Sequence, residues 1–122
     1  MINIILVALG GAIGASLRFF TSNLFKYIYP NLPLGTFVVN VLGSFLIGLL
    51  MNFLENKIIS ENFIRYFLII GVLGSYTTFS AFSYEIVDLF NNKKFIISFF
   101  YILFSVGSCL LAALIGYNFN KI

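Results

Sequence analysis

Four stretches of this chain, at about residues 2–24, 34–53, 63–88 and 95–117, are long, apolar and nearly free of charge. Roughly 20 such residues, rising about 1.5 Å each as a helix, cross the hydrocarbon core of a bilayer. The backbone polar groups of a span have no water to turn to, so each span satisfies them internally as a helix. The first stretch holds Arg18 as its single charge, the second and fourth hold none, and the third is thick with Gly, Ser and Thr in its middle. The pattern predicts an all-α integral membrane protein with one four-span domain over residues 1–122, and with no remainder for a soluble domain. The first span does not read as a signal peptide, because no Lys or Arg precedes Arg18 to form a cationic leader.

Composition removes most covalent chemistry. Only 9% of residues are charged, and the chain has no His, no Trp and a single cysteine, Cys109. A His-based triad, a His or Cys metal cluster and a disulfide framework are all out of reach within one chain. The net charge of +3 comes from cations spaced singly between apolar runs, which form no stripe for tracking phosphates. The chain therefore reads as no enzyme and no nucleic-acid binder.

Its connections are short. Lys26 to Pro33 carries both prolines, Glu55 to Asn62 is of mixed charge, and Val87 to Lys94 turns around Asn91 and Asn92. Cytoplasmic loops usually carry the excess of Lys and Arg. Here Lys57, Arg65 and Lys121 on one side face Lys26, Lys93 and Lys94 on the other, a level count that Arg18 tips by one residue. Either another signal orients the chain, or copies insert both ways up and pair as an antiparallel homodimer.

Several span residues are not what lipid asks for. Gly10 with Gly14, and Ser44 with Gly48, are small residues four apart, the spacing that lets helix backbones approach closely. Packing explains them, with a direct role in conduction as the alternative. Arg18 either snorkels to the headgroups or stands at the mouth of an aqueous vestibule and draws anions in. The third span runs from Gly71 to Glu85 as GVLGSYTTFSAFSYE. Two glycines followed by hydroxyl residues weaken a helix, so a break near mid-membrane is expected, with freed carbonyls that protein or a cavity must satisfy. Such carbonyls coordinate sodium in transporters. Phe79 and Phe82, three apart, either pack against neighbours or present positive ring edges to a small anion.

Three blocks now stand in order: residues 10–19 (GGAIGASLRF), 35–48 (GTFVVNVLGSFLIG) and 71–85. In a four-span chain of this length they resemble the Fluc or CrcB fluoride channels, and the likeness extends over nearly the whole sequence. That resemblance implies passive fluoride export across the cytoplasmic (inner) cell membrane. The implied assembly is an antiparallel homodimer with two pores and one structural sodium ion at its centre. It assigns the sodium to backbone carbonyls of Gly74 and Thr77. The pore falls to Phe79, Phe82, Asn40, Thr36, Tyr101 and Ser105, and the vestibule to Arg18. Where the family often continues its fourth-span track with another hydroxyl, this chain has Cys109, with Ser108 one place earlier, leaving two candidates for the lower end.

The residues support that assignment on their own chemistry. Asn40 is an amide in an apolar span, able either to donate to an anion or to join helices. A fluoride pore must replace a tightly held water shell with donors and ring edges while avoiding a fixed cation that would trap the ion. Glu85 and Asp88, near the end of the third span, read as interfacial or capping groups. A proton-coupled exporter of the small multidrug type is the alternative function, but it needs a carboxylate in the first span, which has none. A purely structural membrane subunit is a third reading, and it leaves the Gly74–Phe82 block unexplained.

Overall fold

A computed structural model describes residues 1–57 and 60–121; the expected second connection therefore lies partly outside the described residues, as does Ile122. The helices are α1 (Ile2–Ile28), α2 (Leu34–Glu55), α3 (Phe63–Leu73, running on through the single turn Gly74–Tyr76), α4 (Phe79–Asn91) and α5 (Phe95–Tyr117). A short 3-10 turn, Phe119–Lys121, follows. α1, α2, α5 and the α3–α4 pair give four segments long and apolar enough to cross a membrane. The chain is thus an all-helical, multi-pass membrane protein whose third span is broken.

Helix ends lie beyond the loss of hydrophobicity wherever no residue forbids the helix. α1 continues past Lys26 to Ile28 and ends at Tyr29, extended at φ −129°, because Pro30 disfavours helical backbone in the residue before it. α4 likewise runs on to Asn91, leaving a tight turn in which Lys93 takes φ 58°. In α3 the winding is wide, with the Gly74 N–H reaching back to the Ile69 carbonyl as well as to Gly71. This π-type winding is rare and frequently marks functional sites.

Glycines set the packing. A Cβ added to Gly10 would meet the Phe67 carbonyl and come within 3.0 Å of the Gly71 Cα, and one added to Gly14 would run into the Val72 carbonyl. Gly48 and Gly116 do the same service between α2 and α5, against Ala113 and Phe45. Gly10, Gly14 and Gly48 therefore join helices within one subunit, whereas Ser44 lines a cavity. These contacts pair the first span with the third and the second with the last, each pair parallel, as an up-down-up-down bundle requires.

The buried set is as much polar as apolar. Val39 and Ile64 are fully buried, but so are Asn52 and Ser98, while large apolar side chains such as Phe19 and Ile96 stand more than two-thirds exposed. That distribution suits a solvent of lipid, which gains nothing from covering Phe or Ile. At one end of the bundle Asn52 is a hub: it donates to the Tyr117 carbonyl at 3.0 Å and accepts from Asn56 and Asn120 at 3.1 Å each. The Tyr117 hydroxyl shares its one hydrogen between the two Glu55 oxygens, at 2.8 and 2.7 Å, so the ends of α2 and α5 are tied together.

Candidate functional site

The break falls at two residues, Thr77 and Thr78, both extended, with ψ of 154° and 115°. Sequence placed it among the glycines and hydroxyls, and the structure narrows it to the pair of β-branched residues, which favour extended backbone. Gly71 and Gly74 before it remain helical. Thr78 then caps α4, its Oγ1 accepting the Ala81 N–H at 3.0 Å.

Asn40 satisfies the broken backbone from α2. The Thr78 N–H donates to Asn40 Oδ1 at 2.8 Å, and Asn40 Nδ2 donates back to the Thr78 carbonyl at 3.0 Å. A continuous helix would give the Thr78 N–H to the Gly74 carbonyl and the Ala81 N–H to the Thr77 carbonyl. Both donors are turned elsewhere, and the Thr77 N–H goes to Leu73 at 3.0 Å. The carbonyls of Gly74 and Thr77 are thereby left outside the helical ladder, at a residue, Gly74, that is itself exposed.

One open cavity of about 390 Å³ lies against the break, and Asn40, Gly74, Thr77, Phe79, Phe82 and Ser105 all line it. Cys109 lines it too, whereas Ser108 does not. The rings of Phe79 and Phe82 stand 5.4 Å apart at 45°. Phe82 is buried at 7% exposure, but Phe79 is 76% exposed, on the rim rather than inside. Ser105 Oγ is buried beside the cavity and has no hydrogen-bond partner, one of three such atoms among the described residues. The walls carry amide, hydroxyl and aromatic side chains, and no Lys or Arg.

Thr36 and Tyr101 are placed elsewhere. Thr36 Oγ1 donates to Glu85 Oε1 at 2.5 Å, and the Tyr101 hydroxyl donates to Glu85 Oε2 at 2.6 Å. Both hydroxyls donate to Glu85, and the Tyr101 ring meets the Phe82 ring edge-on at 5.2 Å. Glu85, read from sequence as an interfacial or capping group, is instead the junction of α2, α4 and α5. Its spacing carried a signal: it lies three residues past Phe82, on the same face of α4. Asp88, by contrast, is exposed and accepts from Asn92 through its carbonyl at 2.8 Å, as expected of a helix end.

Arg18 lines a second cavity, of about 330 Å³, with Ser22, Thr78 and Ala81. Thr78 is common to both cavities, so the break is the wall between them. Arg18 makes no ion pair among the described residues, and it faces the N-terminal end of α4, where helical N–H groups add positive potential. The described residues hold no group of three or more His, Cys, Asp or Glu side chains suited to a metal.

Comparison with known proteins places this geometry in context. The family described as "CrcB-like protein, Camphor Resistance (CrcB)" matches residues 5–117. The "Fluoride-specific ion channel FluC" of Agrobacterium fabrum is 44% identical over 117 residues, covering 95% of this chain and 94% of the relative. The protein of the same name from Flavobacterium psychrophilum is 41% identical over 117 residues, with 95% and 94% covered. That of Campylobacter jejuni strain RM1221 is 43% identical over 123 residues, covering 99% of this chain and all of the relative.

Proposed function

Because the chain belongs to the CrcB-like protein family, whose members are channels and not enzymes, we propose that it is a fluoride-selective channel letting fluoride leave the cell passively across the cytoplasmic membrane. The observation that carries this reading is the first cavity: Asn40, Phe79, Phe82 and Ser105 gather there without a single cation. An Asn side chain has two N–H donors, and only one is used on Thr78, so the other is free for an anion. The unpartnered Ser105 hydroxyl supplies a second donor, and the Phe82 ring edge a third partner. A partly dehydrated fluoride is stabilised by these groups in sequence but held by none strongly enough to trap it. The Arg18 cavity, across the Thr78 wall, would concentrate anions at the entrance.

The functional unit on this reading is an antiparallel homodimer with two pores and a central sodium ion. Three features support it. The loop cations are balanced across the membrane. The first cavity lies open along one face, with Phe79 on its rim 76% exposed and ready to be covered by a second copy. The Gly74 and Thr77 carbonyls, deprived of their helical donors, fit a hard monovalent cation at that face. When bound, sodium would supply fixed positive charge at the centre of the interface, while the chain's own residues hold the break in shape. Reporters fused at the C-terminus test the orientation, and they should read out on both sides of the membrane.

The deciding measurement is anion efflux from liposomes holding the purified protein. Fluoride should leave rapidly and chloride should not. Equal rates for the two ions, or none for either, would overturn the proposal.

A further inference from the structure

A third cavity, of about 330 Å³, is cut into the side of the bundle between the start of α2 and the first half of α5. Pro33 and Phe37 form one wall, Ile97, Phe100 and Phe104 the other, and Tyr101 the floor. Its span along α5, from Ile96 to Phe104, is about 12 Å at the helical rise, a slot rather than a bowl. The one hydroxyl among its walls is already committed, since Tyr101 donates to Glu85 at 2.6 Å. Nothing in the slot can hold an ion or a polar ligand, so its natural occupant is hydrocarbon.

The slot's end nearest the water carries charge. Lys93 and Lys94 immediately precede α5, both are exposed, and neither forms an ion pair among the described residues. From the lining residues, we infer that this groove binds one anionic phospholipid of the surrounding bilayer, its acyl chain lying in the slot and its headgroup phosphate on Lys93 and Lys94. Charge complementarity selects the headgroup, as basic residues beside transmembrane grooves do for acidic lipids. A second copy of the chain is the less fitting occupant. At about 100° per residue, the groove set Ile97, Phe100 and Phe104 centres roughly 160° around α5 from the set Ser105, Cys109 and Leu110, which line the cavity assigned to the partner.

The lipid has a consequence for the site. Tyr101 is shared, its ring flooring the groove and its hydroxyl holding Glu85, which also accepts from Thr36. A filled groove backs the ring and keeps the hydroxyl on Glu85; an empty one leaves the ring free to withdraw. This coupling to transport rests on the proposed channel function, whereas the binding itself does not.

Native mass spectrometry of the protein with equal phosphatidylglycerol and phosphatidylcholine tests the binding. The wild type should retain phosphatidylglycerol preferentially, and Lys93→Gln with Lys94→Gln should reduce that preference roughly tenfold or more. Ile97→Trp, which fills the slot and leaves both lysines, should lower retention of either lipid. Equal retention of both lipids by the wild type, or unchanged retention in both variants, overturns the inference. So does disulfide cross-linking of a Phe100→Cys variant to a second copy. Fluoride efflux from vesicles with and without phosphatidylglycerol tests the coupling, with several-fold faster efflux expected with it. A protein that moves no fluoride in any vesicle refutes the channel and leaves the retention experiment to decide the lipid site.

Discussion

Asn40 of α2 and Thr78 at the break hold each other through two hydrogen bonds, one of 2.8 Å to the Asn40 carbonyl oxygen and one of 3.0 Å from its amide nitrogen. The side-chain amide takes the place of a neighbouring backbone, satisfying the Thr78 N–H that the break sets free in a water-poor setting and bonding the Thr78 carbonyl as well. The residue that joins α2 to the break is also one that lines the first cavity.

Asn40→Asp keeps the acceptor for the Thr78 N–H but loses both donors and sets a negative charge in the cavity. Fluoride efflux should fall at least a hundredfold, with the dimer still present by size-exclusion chromatography. Asn40→Ala strands both Thr78 groups, and should lower stability by about 1–3 kcal/mol in a detergent unfolding series. Near-normal efflux from Asn40→Asp would remove Asn40 from the ion's path.

Phe79 and Phe82 separate a pore from mere packing. Phe82→Ile in the buried position should lower stability by roughly 1 kcal/mol, and Phe79→Ile on the exposed rim by less. Both should nonetheless lose most fluoride efflux, because an aliphatic side chain has no positive edge. Efflux retained in both variants would show that the rings only fill space.

Glu85 gathers hydroxyls from Thr36 and Tyr101, and removing either donor leaves one carboxylate oxygen without its partner. Tyr101→Phe should slow efflux by roughly tenfold, with Phe82 less firmly backed, and Glu85→Ala should be more damaging because both hydroxyls lose their acceptor. Matched efflux and thermal-unfolding measurements on the two variants check the order; a more severe Tyr101→Phe would contradict it.

Gly14 and Gly74 differ in what a Cβ would meet. At Gly14 it strikes the Val72 carbonyl, whereas at Gly74 the nearest atom is the Ile69 carbonyl at an ordinary 3.5 Å. Gly14→Val should therefore destabilise the subunit itself. On the proposed dimer with its central sodium, Gly74→Val should leave the subunit intact but weaken the dimer and abolish its sodium dependence, since within the subunit the added carbons have room at this exposed position. Chromatography and efflux in sodium against a large organic cation distinguish the two, and wild-type sodium dependence in Gly74→Val would refute the carbonyl site.

Much of this architecture was legible in the sequence. The spans follow from the lengths of the apolar runs, while the helices run a few residues further where no residue forbids it, as in α1, which continues to Ile28 ahead of Pro30. The break was expected in the right block, but hydropathy cannot say which of several weak helix formers yields. That depended on Asn40, 38 residues away, meeting Thr78. Glu85 was misread for a related reason: a carboxylate near a span's end looks interfacial until Thr36 and Tyr101 are brought to it.

Sequence alone determined the solvent, the four-span topology and the inventory of donors, because hydrophobic length and residue chemistry are local properties that survive any arrangement of the helices. Only the tertiary structure decided which donors are free. It set Asn40 on the break with one N–H to spare, left Ser105 unpartnered beside the cavity, and turned Thr36 and Tyr101 toward Glu85. A hydroxyl has a single hydrogen to give, and its recipient is fixed by which helix the packing brings within about 3 Å.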